Sequence, residues 1–115
     1  MNLKYEIKGN VIVVYIESPL DIGNSPLVQR DISTLISKYP DYHFILNMDR
    51  VEYMNSAGLG VLIISSKKLE SNQKCLKVTS LSFVVKKVIQ LLDAHEIIEV
   101  YDSEEEALKS ISLSS

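Results

Sequence analysis

YMNSAGLGVLIISS, residues 53–66, sets an Asn–Ser pair and two glycines directly against an aliphatic run, Leu59 to Ile64, that only Gly60 interrupts. A serine ahead of such a run commonly starts a buried helix, because its oxygen can accept from an amide that the first turn leaves free. The stretch predicts a helix from Ala57 to about Ser71 with Ser56 at its entrance. Gly58 and Gly60 each cost about 1 kcal/mol of helix propensity relative to alanine, and a cap alone needs neither. They make sense where backbone must come close to something: neighbouring strands, a partner protein, or a phosphate resting on the amides. Two compatible roles for Ser56 follow. One is architectural, as a cap; the other is chemical, as a hydroxyl that another protein modifies.

Working outward, HFILNM (43–48) is a short apolar run bounded by turn-prone residues, hence a buried central strand, and Asp49 to Met54 is a loop. LKYEIK (3–8) alternates apolar and polar, VIVVYI (11–16) is β-branched, and Gly9–Asn10 between them reads as a primed hairpin turn. Ser25–Pro26 looks like a cap followed by proline in the first helical position; Leu27, Val28, Ile32, Leu35 and Ile36 then recur at helical spacing, and Pro40 is a stop. CLKVTS (75–80) is another strand. Ser82 is expected to cap a helix of about ten residues with Phe83, Val84, Val88, Leu91 and Leu92 inward. IIEVY (97–101) is the last strand. Ser103 and Glu106 form a capping box for a terminal helix carrying Ala107, Leu108 and Ile111, and residues 112–115 are expected to fray.

The order is β-β-α-β-α-β-α-β-α. Strand–helix–strand crossovers imply parallel pairing, and the opening hairpin adds an antiparallel strand. The expected fold is α/β: a mixed sheet of about five strands with four helices, in one domain spanning residues 1–115.

Little in the chain points to chemistry of its own. One cysteine, Cys75, excludes an internal disulfide and reads as a small buried hydrophobe, a reactive thiol being the minor alternative because no His or Cys is near it in sequence. His43 and His95 lack HxxxH or HxxE ligand spacing, so both read as surface histidines and no metal is expected. Glu104, Glu105 and Glu106 oppose the positive end of a helix dipole. NSAGLG is not GxGxxG, and neither a P-loop nor GxSxG occurs, so no cofactor is expected and Ser56 has no evident base. The chain therefore reads as a non-enzyme. A net charge of -3 leaves no electrostatic footprint for nucleic acid, and Lys67–Lys68 and Lys86–Lys87 read as solvated pairs. No apolar run is long enough to span a bilayer and MNLKYEIKGN lacks a signal-peptide core, so the expected location is cytoplasmic.

Around Ser56 the sequence resembles the STAS family, shared by bacterial anti-sigma factor antagonists and the cytoplasmic tails of sulphate transporters. Antagonists carry Asp-Ser-[Ser/Ala]-Gly-Leu-Gly-x-Leu after a central strand; the corresponding run here is Asn55-Ser56-Ala57-Gly58-Leu59-Gly60-Val61-Leu62. FILNMDRVEYM resembles the strand and loop leading to the serine. SPLDIGNSP resembles the Leu-Asp element that places Asp21 beside the serine loop, and VVKKVIQLLDAHEIIEVYDSEEEAL matches the closing helix–strand–helix pattern. The antagonist branch fits a chain without a membrane portion. The resemblance implies a partner-switching regulator: an anti-sigma factor with serine-kinase activity binds it unmodified and phosphorylates Ser56, phosphorylation releases it, and a phosphatase resets it. It implies a partner-binding surface from Asp21, Met54, Asn55, Ser56, Ala57, Gly58 and Leu59, with Met54 and Leu59 as an apolar rim or, for Leu59, part of the core. Asn55 replaces the family's aspartate and removes a charge. That departure keeps open a constitutive scaffold or adaptor, in a stress-signalling complex or lipid-transport machinery, that phosphorylation does not control.

Overall fold

In the computed structural model, which describes residues 3–114, the hairpin forms around Gly9–Asn10. Strand β1 (Lys4–Lys8) pairs antiparallel with β2 (Val11–Tyr15), Lys8 opposite Val11. Gly9 has φ +63°, the left-handed value that the first central position of a primed turn requires and that glycine adopts without strain. Parallel crossovers follow: α1 (Ser25–Lys38) leads to β3 (His43–Asn47), α2 (Ser56–Ser71) to β4 (Leu76–Thr79), and α3 (Phe83–Leu91) to β5 (Glu99–Tyr101). A short 3-10 turn at Ala94–Glu96 enters β5, and α4 (Glu104–Ser114) ends the described chain. The strands lie in chain order, β1-β2-β3-β4-β5, with only the first pair antiparallel. The mixed α/β sheet has the expected element order.

Alternation along the central strands divides the core. Ile12, Val14, Phe44, Leu46, Leu76 and Val78 point to one face, where they meet Val28, Ile32 and Ile36 of α1, Leu59 and Leu62 of α2, and Val85 and Ile89 of α3. Val11, Val13 and Ile45 point to the other face and meet buried Ala107 and Ile111 of α4, with half-buried Leu108, Tyr15, Cys75 and Tyr101 packed around them. On β4 that second face turns polar: Lys77 pairs with Glu99 of β5.

Two local expectations change. Asn24, not Ser25, occupies the N-cap of α1, and Asp21 Oδ1 accepts the Asn24 amide at 2.9 Å. No side chain caps α1, and among the described residues the buried Ser25 hydroxyl has no partner. In α3 the buried residues are Val85 and Ile89; Phe83, Val84, Leu91 and Leu92 are exposed and Val88 is half-buried. Lys86, Lys87 and Gln90 fall on one side of α3 and Val85, Val88 and Ile89 on the opposite one, so the helical period selects the buried face and leaves Phe83 and Leu91 beside the polar residues; the Ser82 cap, whose Oγ accepts from Val85 N at 3.2 Å, fixes the helix start. Helix α4 extends to Ser114, and Ser115 of the expected frayed tail lies outside the described residues. Its Ser103 cap forms as expected, accepting from Glu106 N at 3.2 Å.

Candidate functional site

The entrance of α2 is fixed by a short parallel contact between two loops. Leu20 and Met54 form an isolated bridge, with Leu20 N donating to Tyr53 O at 3.0 Å and Asn55 N donating to Leu20 O at 3.2 Å. This tie brings Asp21 into the neighbourhood of Asn55 and Ser56. Asp21 is half-buried, its carboxylate engaged by the Asn24 amide.

Asn55 caps the helix. Its Oδ1 accepts from Ala57 N at 3.0 Å, and its backbone is extended as an N-cap requires. Ser56 therefore sits one position further in than the sequence suggested, as the first residue of α2, and does not cap it. The correction matters chemically. With the capping bond made by its neighbour, the Ser56 hydroxyl is exposed, and among the described residues no hydrogen bond engages it.

The two glycines differ. A Cβ on Gly58 would fall 2.5 Å from Met54 Cγ and 2.6 Å from both the Cβ and the carbonyl oxygen of Leu20. Gly58 is what lets the first turn of α2 lie against the Leu20–Met54 bridge. A Cβ on Gly60 would meet nothing within 4 Å. The close approach anticipated for both glycines is made within this chain by Gly58 alone.

Met54 is fully buried and Leu59 is 7% exposed, so neither forms an apolar rim; both belong to the core under the bridge. The apolar surface near Ser56 comes instead from Ile22, which is 77% exposed, and from half-exposed Tyr53. An open groove of ≈ 380 Å³, lined by Ile22, Ser25, Pro26, Gln29 and Ala57, runs beside the entrance. Sequence reading missed Ile22 and Tyr53. For Tyr53 the signal available was its position next to Met54, which pairs with Leu20, since neighbouring side chains in an extended segment point to opposite sides; Ile22 lies in a turn and carried no such signal.

Elsewhere, parallel pairing sets His43 beside Cys75, which sequence separation had hidden. Cys75 N donates to His43 Nδ1 at 3.1 Å, and Cys75 Sγ lies 3.3 Å from the same nitrogen. Accepting the amide requires an unprotonated Nδ1. Burial lowers the His43 pKa, helped by Lys74 and Lys77, and burial raises that of Cys75, so the pair is neutral and not a thiolate–imidazolium couple. Among the described residues no cluster of three His, Cys, Asp or Glu side chains could hold a metal, and no helix is long and apolar enough to cross a membrane.

Comparison with known proteins places this geometry. The STAS domain model matches residues 2–107. An anti-sigma F factor antagonist of Paenibacillus polymyxa is 25% identical, over 98% of this chain and 98% of that protein. The anti-sigma-B factor antagonist of Bacillus subtilis is 28% identical, over 89% of this chain and 91% of its own length. The solved structure of the anti-sigma factor antagonist SpoIIAA in its unphosphorylated form superposes with a TM-score of 0.78 at 23% identity, covering 96% of each chain. A sheet of this topology, an Asn–Ser pair opening α2 and a family match across most of the sequence agree: the chain belongs to the STAS domain family.

Proposed function

We propose that this chain is an anti-sigma factor antagonist whose affinity for its partner is set by phosphorylation of Ser56. The observation that carries the reading is the free, exposed Ser56 hydroxyl on the first residue of α2, left unengaged because Asn55 makes the capping bond. Its relatives' description as anti-sigma factor antagonists supports the partner class.

In this reading the unmodified surface around Ser56 docks an anti-sigma factor with serine-kinase activity. Ile22 and Tyr53 supply the apolar contact and Asp21 a nearby negative charge. Transfer of the γ-phosphoryl group from ATP to Ser56 Oγ releases ADP, and the hydroxyl proton leaves to solvent or to a base of the kinase. The phosphate adds about -1.5 to -2 charges and three acceptor oxygens. Within this chain it is tolerated, because the positive end of a 16-residue helix and its first-turn amides lie beside it. In a closed interface it is desolvated next to Asp21, and each 1.4 kcal/mol of that cost weakens binding about tenfold. A phosphatase that hydrolyses the phosphoserine restores the docking surface. Asn55 keeps the cap without the family's charge, so docking here relies on shape and Asp21 more than on a carboxylate before the serine.

Intact-mass measurement after incubation with an active cognate kinase and ATP tests this: wild type gains one phosphate and Ser56→Ala gains none. A pull-down in which Ser56→Asp binds the anti-sigma factor as well as wild type does would defeat the switch. The second reading, a constitutive STAS scaffold, is favoured by the uncharged Asn55, and its signature is partner affinity and function unaltered by Ser56→Ala.

A further inference from the structure

The outward side of α3 sets large apolar side chains among Lys86, Lys87 and Gln90. Phe83 is 73% and Leu91 81% exposed, and Val84, Leu92 and Ile97 are exposed beside them. Phe83, Lys87 and Leu91 follow one another at four-residue spacing along a single line of the helix, with Lys87 Nζ 5.3 Å from the Phe83 ring centroid. Isolated exposed apolar side chains are ordinary on a protein surface; several on one face mark an interaction site. No element of this chain covers that face among the described residues.

Charge identifies the occupant. Lys86 and Lys87 lie in the middle of α3, while Asp93 and Glu96 lie just beyond its C-terminal end. Among the described residues neither lysine nor Glu96 forms an ion pair within the chain, and Asp93 meets only His95, at 3.8 Å. A uniformly acidic partner would suit the lysines and repel the acids. A second copy related by a two-fold axis suits both signs at once. With the two helices antiparallel and the axis near Leu91, the lysines of each copy face the acids of the other, twice, while Leu91 meets its own counterpart at the centre. Phe83 and Val84 then approach Leu92 and Ile97 of the second copy, and the two helix dipoles oppose. We infer that the α3 face, Phe83, Val84, Lys87, Leu91 and the turn bearing Asp93 and Glu96, docks a second copy of this chain as a two-fold dimer. The apolar centre supplies affinity and the crossed charges set the register. The dimer does not depend on the state of Ser56, which is not part of this face.

Sedimentation velocity of the full chain over a concentration series tests the inference. Wild type converts from monomer to dimer as concentration rises. Leu91→Glu stays monomeric while its circular dichroism and thermal melt match wild type, since the side chain is exposed. Lys87→Glu and Glu96→Lys each weaken the dimer about tenfold, and the two together in one chain restore it because the crossed pairs re-form with their signs exchanged. A wild type that is monomeric throughout overturns the inference, including one whose α3 face binds anionic vesicles or an acidic peptide instead. So does a dimer that Leu91→Glu leaves intact.

Discussion

The face of the sheet under α1, α2 and α3 and the face under α4 are held by different means. On the first, six strand residues from β2, β3 and β4 meet apolar side chains from three helices, and Phe44, the largest fully buried side chain, lies among them. On the second, five buried apolar residues suffice, and a carboxylate does part of the joining. Glu104, in the first turn of α4, accepts from Tyr15 Oη of β2 at 3.0 Å and Asn47 Nδ2 of β3 at 3.2 Å, and pairs with Lys8 of β1. One side chain thus gathers three strands under one helix. The lesson is a division of labour: the apolar face sets the geometry of the α2 entrance, and the α4 face is a smaller cover whose hold depends on charge.

The contrast can be broken most forcefully at the core. Phe44→Ala is expected to destabilise by about 3–5 kcal/mol and Ile111→Ala, beneath α4, by about 2 kcal/mol, as read by urea denaturation. Equal losses would erase the distinction. A sharper probe lies in the two glycines of α2. Gly58→Ala drives a methyl group into Met54 and the Leu20 carbonyl and is expected to cost about 1–3 kcal/mol. Gly60→Ala meets open space and is expected to stabilise by up to about 1 kcal/mol. Loss of partner binding in the more stable Gly60→Ala would show that the partner's approach, not this fold, uses that glycine.

The smallest effect concerns pH. Burial pushes the Glu104 pKa up, but hydrogen bonds from Lys8, Asn47 and Tyr15 outweigh it and hold the carboxyl below the usual glutamate range. A depressed folded-state pKa contributes stability that is present above the unfolded value and is lost as pH falls through the folded one. Denaturation midpoints should therefore decline on acidification below the ordinary glutamate value. Glu104→Gln should lose about 1 kcal/mol at neutral pH and show a flatter acid limb. An unchanged acid limb in that variant would remove Glu104 from its role under α4.

Much of this was legible without coordinates. Alternation in LKYEIK and the β-branched VIVVYI mark the hairpin, and Ser82 and Ser103 mark two helix starts, because strand period and amide capping are local physics that a few residues carry. The Asn-Ser-Ala-Gly motif likewise points to residues 55–58 as the place to look. At that entrance, however, Asn55 and Ser56 are both good caps, and only the path imposed by the Leu20–Met54 bridge selects Asn55 and frees the serine.

What the sequence by itself determined is the list of elements, their order and the serine of interest, since each depends on neighbours within a turn or two. Tertiary structure alone decided that Met54 and Leu59 lie inside while Ile22 and Tyr53 lie outside, and that His43 meets Cys75. Those outcomes rest on contacts between residues far apart in the chain. Their free energies belong to the packed arrangement, and no local pattern encodes them.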